Sequence, residues 1–245
     1  MPRSPVALFV TDEPDEVARG AADDAAEAIR AHRRPNVLFA VGESPGGLYG
    51  ELAERRKRGV LDTSRMRAVQ LDEYLGVSPG DERAFFGWLT REVLRPLGVS
   101  DDRTIPLRGD AADPEKECRR YERAIAVVGG LDLAILGLGT NGHLGFNEPP
   151  SGPDAPTRVV DLADETLESN ARYWGGRDRV PTRAITAGMN VLLRARRAIL
   201  VVTGASKHEI LHRALEEEIA PAVPASYLRT MPDVRVYCDR AAWDG

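Results

Sequence analysis

The sequence predicts a single α/β domain, residues 1–245, with a mostly parallel sheet covered by helices on both faces. Three observations lead there. Residues 131–136 form an apolar run broken only by Asp132, the signature of a strand buried on both sides. Runs of this kind alternate along the chain with segments of helical spacing, the pattern of a parallel sheet with crossover helices. No internal repeat, heptad stretch or linker divides the 245 residues, and a chain of this length can enclose a large core.

Taken in order, residues 6–10 read as a strand and 14–32 as a helix, with Val17, Ala21, Ala25 and Ile29 on one stripe. Residues 36–41 form the next strand. The turn Gly42-Glu43-Ser44-Pro45 follows, and it opens a helix carrying Leu48 and Leu52. Such a turn at a helix amino terminus presents free N–H groups that suit an anion such as phosphate. The strand 66–71 ends in Asp72-Glu73-Tyr74, and a helix over 81–94 is stopped by Pro96. A helix over 113–128 carries Cys118, Tyr121 and Ile125 and leads into the strand 131–136. Residues 150–182 contain four prolines and little periodicity, which suits either an irregular lid over a site or a passive surface excursion. A helix over 185–193, a strand over 198–203, a helix from Lys207 to about 217 and a strand over 234–238 complete the series.

Functional side chains concentrate where strands end, which is where open α/β sheets bind ligands. Residues 136–150 combine four glycines with Asn141, His143 and Glu148 in one short loop. On composition alone, a ligand-binding loop and a tight glycine turn with a surface histidine are equally good readings. Asp72 likewise reads either as a catalytic carboxylate or as a turn-forming cap.

Composition narrows the partners. Lys plus Arg number 33 against 38 Asp plus Glu, a net charge of −5, which argues against a nucleic-acid binder and for a small-molecule partner. No stretch approaches the roughly 20 apolar residues that span a bilayer, and the apolar run after Met-Pro-Arg-Ser-Pro is too short for a signal peptide, so a soluble, cytoplasmic protein is expected. Cys118 and Cys238 are far apart and form neither a metal-ligand pair nor a disulfide framework. No metal-ligand cluster is visible, and self-association is left open.

The string Leu-Gly-Leu-Gly-Thr-Asn-Gly-His-Leu-Gly-Phe-Asn-Glu-Pro-Pro closely resembles the signature of the glucosamine-6-phosphate deaminase family, and Leu71-Asp72-Glu73-Tyr74-Leu75-Gly76 resembles it at a second, independent site. The resemblance runs from about residue 37 to residue 239. It implies a three-layer, Rossmann-like α/β/α sandwich and conversion of an amino-sugar phosphate, glucosamine 6-phosphate first, to a ketose phosphate with loss of ammonia and no cofactor. It also implies that Asp72 carries a proton from C2 to C1, that His143 assists ring opening, and that Glu148 orients His143. Many relatives have Asp where this chain has Asn141, which can accept a hydrogen bond from the imidazole but cannot balance its charge.

Arg172 and Lys207 align with the family's phosphate-binding pair, and Lys207 opens a helix after a Gly-Ala-Ser turn. Gly42, Glu43 and Ser44 occupy the phosphate loop, which departs from the family's usual Thr-Gly-Gly or Thr-Gly-Ser. Glu43 puts a negative charge where phosphate is expected, so either it points away or the substrate is a different amino sugar. Arg158 is present, but Val160 replaces an expected lysine and the chain ends at Gly245. Activation by an acetylated amino-sugar phosphate is therefore not expected. The competing readings are a 6-phosphogluconolactonase on the same scaffold and a non-catalytic sugar-phosphate sensor like those of certain bacterial repressors.

Overall fold

The computed structural model describes residues 6–245. Residues 1–5, the start of the segment expected to be too short for a signal peptide, lie outside them. In chain order the elements are β1 (Ala7–Thr11), α1 (Pro14–Arg30), β2 (Asn36–Phe39), α2 (Glu43–Lys57), β3 (Arg67–Gln70), β4 (Asp72–Tyr74), α3 (Phe85–Leu89), β5 (Thr104–Ile105), α4 (Pro114–Val127), β6 (Leu133–Gly137), β7 (Arg158–Asp161), α5 (Asp164–Trp174), β8 (Arg183–Thr186), α6 (Met189–Leu192), β9 (Arg197–Val202), α7 (His208–Glu216), β10 (Val234–Asp239) and α8 (Arg240–Trp243).

Seven strands form one sheet in the order β1-β10-β9-β6-β2-β3-β5, every pair parallel. Alternation along each strand divides the core into two layers. Val37, Phe39, Leu133, Ile135, Ile199 and Val201 pack with α1, α2 and the Leu89–Leu97 region. Leu38, Ala134, Leu136, Ala198 and Leu200 pack on the other face, with Tyr121 of α4 and Leu211 of α7. Each aliphatic side chain buried in this way contributes about 1.5–3 kcal/mol. The expected three-layer sandwich is therefore present, and its sheet order reverses between β2 and β6: β3 lies beyond β2 on one side and β9 beyond β6 on the other. Such a switch point opens a crevice at the strands' carboxyl ends.

Four local expectations are corrected. Asp72-Glu73-Tyr74 is not the tail of β3 but a separate strand, which pairs antiparallel with β8 in a second sheet of order β4-β8-β7. Residues 150–182 are not irregular, since they contain β7 and the 11-residue α5. The helix expected over 185–193 is shorter, because Arg183–Thr186 is β8, with only Met189–Leu192 helical. The small sheet and α5 enclose an aromatic core in which Tyr74 meets Phe85, Phe146 and Trp174 at centroid distances of 4.8, 5.4 and 5.2 Å. The helix expected over 81–94 begins at Phe85 and continues as a wider π turn over Thr90–Leu94.

Candidate active site

The candidate residues gather at the carboxyl ends of four adjacent strands. Gly42, Glu43 and Ser44 follow β2, Asp72 follows β3, Asn141, His143 and Glu148 follow β6, and Lys207 follows β9. Only Arg172 comes from elsewhere, from α5.

Where β3 passes into β4 the chain is pinned by Gln70, whose amide donates to the Asp72 carbonyl (2.8 Å) and whose Oε1 accepts from Leu107 N–H (3.1 Å). Tyr121 Oη donates to the Gln70 carbonyl at 2.7 Å. Asp72 is 5% exposed, and among the described residues its carboxylate has no hydrogen-bond donor. Burial, with Glu73 as a neighbouring like charge, raises its pKa well above the ordinary carboxylate range. Next to it Gly145 adopts φ +60°, and a Cβ there would stand 3.1 Å from Asp72 Oδ2 and 2.9 Å from Leu71 Cγ. A side chain at residue 145 would push into the space Asp72 uses.

Glu73 has a different task. Its carboxylate accepts from the N–H groups of Tyr74, Phe85 and Phe86 at 2.9, 3.0 and 2.8 Å, tying β4 to the start of α3. Burial raises its pKa and these N–H groups oppose the rise. No local sequence pattern marks this anchoring, since Glu73 and Phe86 are 13 positions apart.

The signature loop folds His143 back over Gly139, where a Cβ would fall 2.2 Å from the imidazole Nε2. Asn141 Oδ1 lies 2.7 Å from His143 Nδ1 and accepts from the His143 backbone N–H at 3.3 Å. That contact makes Nδ1 the protonated nitrogen and leaves the Nε2 lone pair free. Burial, with a smaller effect from the Lys207 charge, lowers the imidazole pKa to about 4, so His143 is neutral at physiological pH.

Among the described residues Glu148 makes no hydrogen bond to His143. Its carboxylate accepts from Ala163 N–H at 2.8 Å and from the Thr166 hydroxyl, both at the amino end of α5. It therefore joins the signature loop to that helix, a favourable place for a carboxylate. Arg158 is likewise engaged within the chain, donating to Asn147 Oδ1 and Ser151 Oγ, both at 2.8 Å.

At the rim, no side chain caps the amino terminus of α2. Ser44 Oγ lies 3.3 Å from Thr203 Oγ1, linking this turn to the end of β9. Lys207 is partly buried and has no carboxylate partner among the described residues; burial lowers its pKa. Arg172 is committed: its Nη2 donates to Glu43 Oε1 at 2.7 Å and to Tyr173 Oη at 2.6 Å, and Tyr173 Oη donates to Glu43 Oε1 at 2.9 Å. Glu43 thus points toward α5, and these hydrogen bonds hold its pKa low. The structure separates the expected basic pair into one free and one occupied cation. Among the described residues no group of three or more His, Cys, Asp or Glu side chains is arranged to hold a metal.

Residues 12–237 match the family described as glucosamine-6-phosphate isomerases/6-phosphogluconolactonase. The chain belongs to this family. Glucosamine-6-phosphate deaminases of Streptomyces avermitilis and Lachnoclostridium phytofermentans are 39% and 37% identical to it, over 94% and 84% of this chain and 89% and 88% of theirs. A solved monomeric glucosamine-6-phosphate deaminase superposes with a TM-score of 0.94 at 33% identity, covering 97% of this chain and 98% of that one. A 6-phosphogluconolactonase from Trypanosoma brucei shares the fold, with a TM-score of 0.79 at 18% identity. The family resemblance read from the two loops therefore holds across nearly the whole chain, as does the expected α/β architecture.

Proposed function

We propose that this protein converts glucosamine 6-phosphate and water to fructose 6-phosphate and ammonia, with Asp72 moving the proton and His143 opening the ring. The observation that carries this reading is a buried carboxylate without a hydrogen-bond donor, backed by Gly145 of the same loop that holds a neutral histidine with a free Nε2. A carboxylate with a raised pKa is a stronger base once ionised, and a site closed to water lets it return the proton it takes.

In the proposed sequence His143 Nε2 relays the proton from the C1 hydroxyl to the ring oxygen, giving the open aldehyde. Asp72 then removes the C2 proton and delivers it to C1. Water adds at C2, and the amine leaves as ammonia. Asn141 keeps His143 in the tautomer this relay needs. Glu148 acts at a distance, by fixing α5 to the signature loop, so that residues 150–182 form a structured lid carrying Arg172.

Lys207 and the free N–H groups of α2 are the phosphate's first contacts in this reading, within a site built on Gly42 and Ser44. Glu43 holds Arg172 until the phosphate replaces it. An exposed ion pair of this kind is weak enough to exchange for a dianion. No helix among the described residues is long and apolar enough to cross a membrane, in keeping with the proposed cytoplasmic role.

The test is product analysis. Ammonia and fructose 6-phosphate should appear in equal amounts from glucosamine 6-phosphate and far more slowly from unphosphorylated glucosamine. Faster turnover of the unphosphorylated sugar would show that Glu43 has changed the substrate. Hydrolysis of 6-phosphogluconolactone without ammonia release would overturn the deaminase assignment.

A further inference from the structure

The sheet has a second end, opposite the deaminase site. There β2, β3 and β5 begin side by side, and the turns leading into them bring Arg33, Arg34, Arg65, Arg67 and Arg103 around one recess of about 380 Å³, with Ser64. None of the five arginines forms an ion pair among the described residues, whereas Arg55, Arg172, Arg197, Arg235 and Arg240 all do. Five guanidinium groups without an ion pair, Arg65 feeling only the charge of the exposed Asp62, sit in one recess of a chain with net charge −5; they repel one another, and an anion among them would relieve that repulsion.

Part of the recess is already rigid. Arg103 donates to the carbonyls of Thr63, Met66 and Gly98 at 3.1, 3.0 and 2.7 Å, and to Ser100 Oγ at 3.2 Å. Arg67 N–H is held by the Pro35 carbonyl at 2.8 Å as β3 begins. Arg33, Arg34 and Arg65 are exposed and free to close on a ligand.

A second recess of about 370 Å³ shares Arg67 and Arg103 and runs on to a floor of Ile105, Ala124, Val127 and Val128, with Arg123 on its border. Val127 is 80% exposed, unusual for an aliphatic side chain at the end of a helix. The lining also includes Asp102, which accepts from Ser100 Oγ at 2.5 Å, and Arg120, which is paired with Glu117. The two recesses therefore present a cationic compartment joined to an apolar shelf through a pair of arginines.

We propose that this double recess binds a small oligophosphate ester of the nucleoside-polyphosphate class. Its phosphates lie among Arg33, Arg34, Arg65, Arg67 and Arg103, and its less polar moiety lies on the Ile105–Val128 shelf. The guanidinium forks of Arg33, Arg34, Arg65 and Arg67 suit bidentate contact with phosphate oxygens, while Arg103, held by the protein through Nε, Nη1 and Nη2, contributes mainly charge. A monophosphate would leave most of the five charges unmatched, whereas three linked phosphates answer them.

Calorimetric titration of the whole protein at physiological ionic strength tests this, using ATP, inorganic tripolyphosphate and inorganic phosphate as probes. ATP should bind most tightly, tripolyphosphate next, and phosphate at least tenfold more weakly than tripolyphosphate. The double variant Arg34→Ala, Arg65→Ala should weaken ATP by about tenfold or more and leave ammonia release from glucosamine 6-phosphate unchanged. Val127→Asp should weaken ATP more than tripolyphosphate. Lys207→Ala, which removes a cation of the deaminase site, should leave ATP affinity intact. Absence of ATP binding, binding lost in Lys207→Ala but kept in the double arginine variant, or phosphate binding as well as tripolyphosphate would each overturn the proposal.

Discussion

The floor and the rim of the deaminase site are built by opposite means. On the floor, Asp72 and His143 are set by burial: one carboxylate is driven toward its protonated form and one imidazole toward its neutral form, with no ion pair at either among the described residues. On the rim, Glu43, Arg172 and Tyr173 are exposed and set by one another. Burial tunes groups that must exchange protons at neutral pH, while a solvent-screened pair can be traded for another anion. Chemistry and substrate capture are thus separable, and substitutions in the two regions should separate kcat from KM.

Gly145→Ala should break the floor. It forces a side chain into a left-handed backbone conformation, costing on the order of 1–2 kcal/mol, and into the Asp72 niche. A displacement of about 1 Å there should lower kcat by roughly 100-fold, with KM little changed. Lys207→Ala should act at the rim, raising KM for glucosamine 6-phosphate by about 10–100-fold, the range of a charge-assisted hydrogen bond, while unphosphorylated glucosamine is unaffected.

Asn141→Asp tests how the floor sets His143. A carboxylate on Nδ1 should lift the imidazole pKa from about 4 by about 1–3 units, read by histidine NMR titration. Because His143 is already neutral near pH 7, the acid limb of the wild-type rate profile is expected to follow Asp72, the base in the proposed sequence. That limb rises with pH and is displaced upward from the ordinary carboxylate value. The variant should bring a second limb into view. The smallest effect is expected of Glu43→Gln, which frees Arg172: KM should fall by about two- to fivefold at unchanged kcat. A rise in KM would show that Glu43 helps to bind the sugar.

Much of this arrangement is legible in the sequence, for physical reasons. Strands such as β6, buried on both faces, show continuous apolar runs, and open α/β sheets bind ligands beyond the carboxyl ends of such strands. Position thus marks Asp72 and the Asn141–Glu148 loop as candidates, and the family resemblance of the two strings gives them their expected roles. What was missed depends on long-range contacts. Glu43 and Arg172 are 129 positions apart, so no local pattern reveals that they meet. The family resemblance implies that Glu148 orients His143, yet the Glu148 carboxylate is held by donors at the start of α5. β4 is three residues long and departs from the main sheet, too short for period-two alternation to register. In β8, Ile185 precedes Met189 and Leu192 at helical spacing, which hid a strand inside an apparent helix.

Asp72→Asn tests the central claim most directly, through ammonia release from glucosamine 6-phosphate and thermal unfolding of the same sample. A carboxyl whose folded pKa is raised stabilises the fold below its unfolded pKa, and that stability is lost as pH rises through the folded value. The asparagine variant escapes this loss. It should therefore melt higher than wild type at neutral pH while losing roughly 100- to 10,000-fold in rate. Ammonia release at the wild-type rate from a folded Asp72→Asn protein would contradict the account.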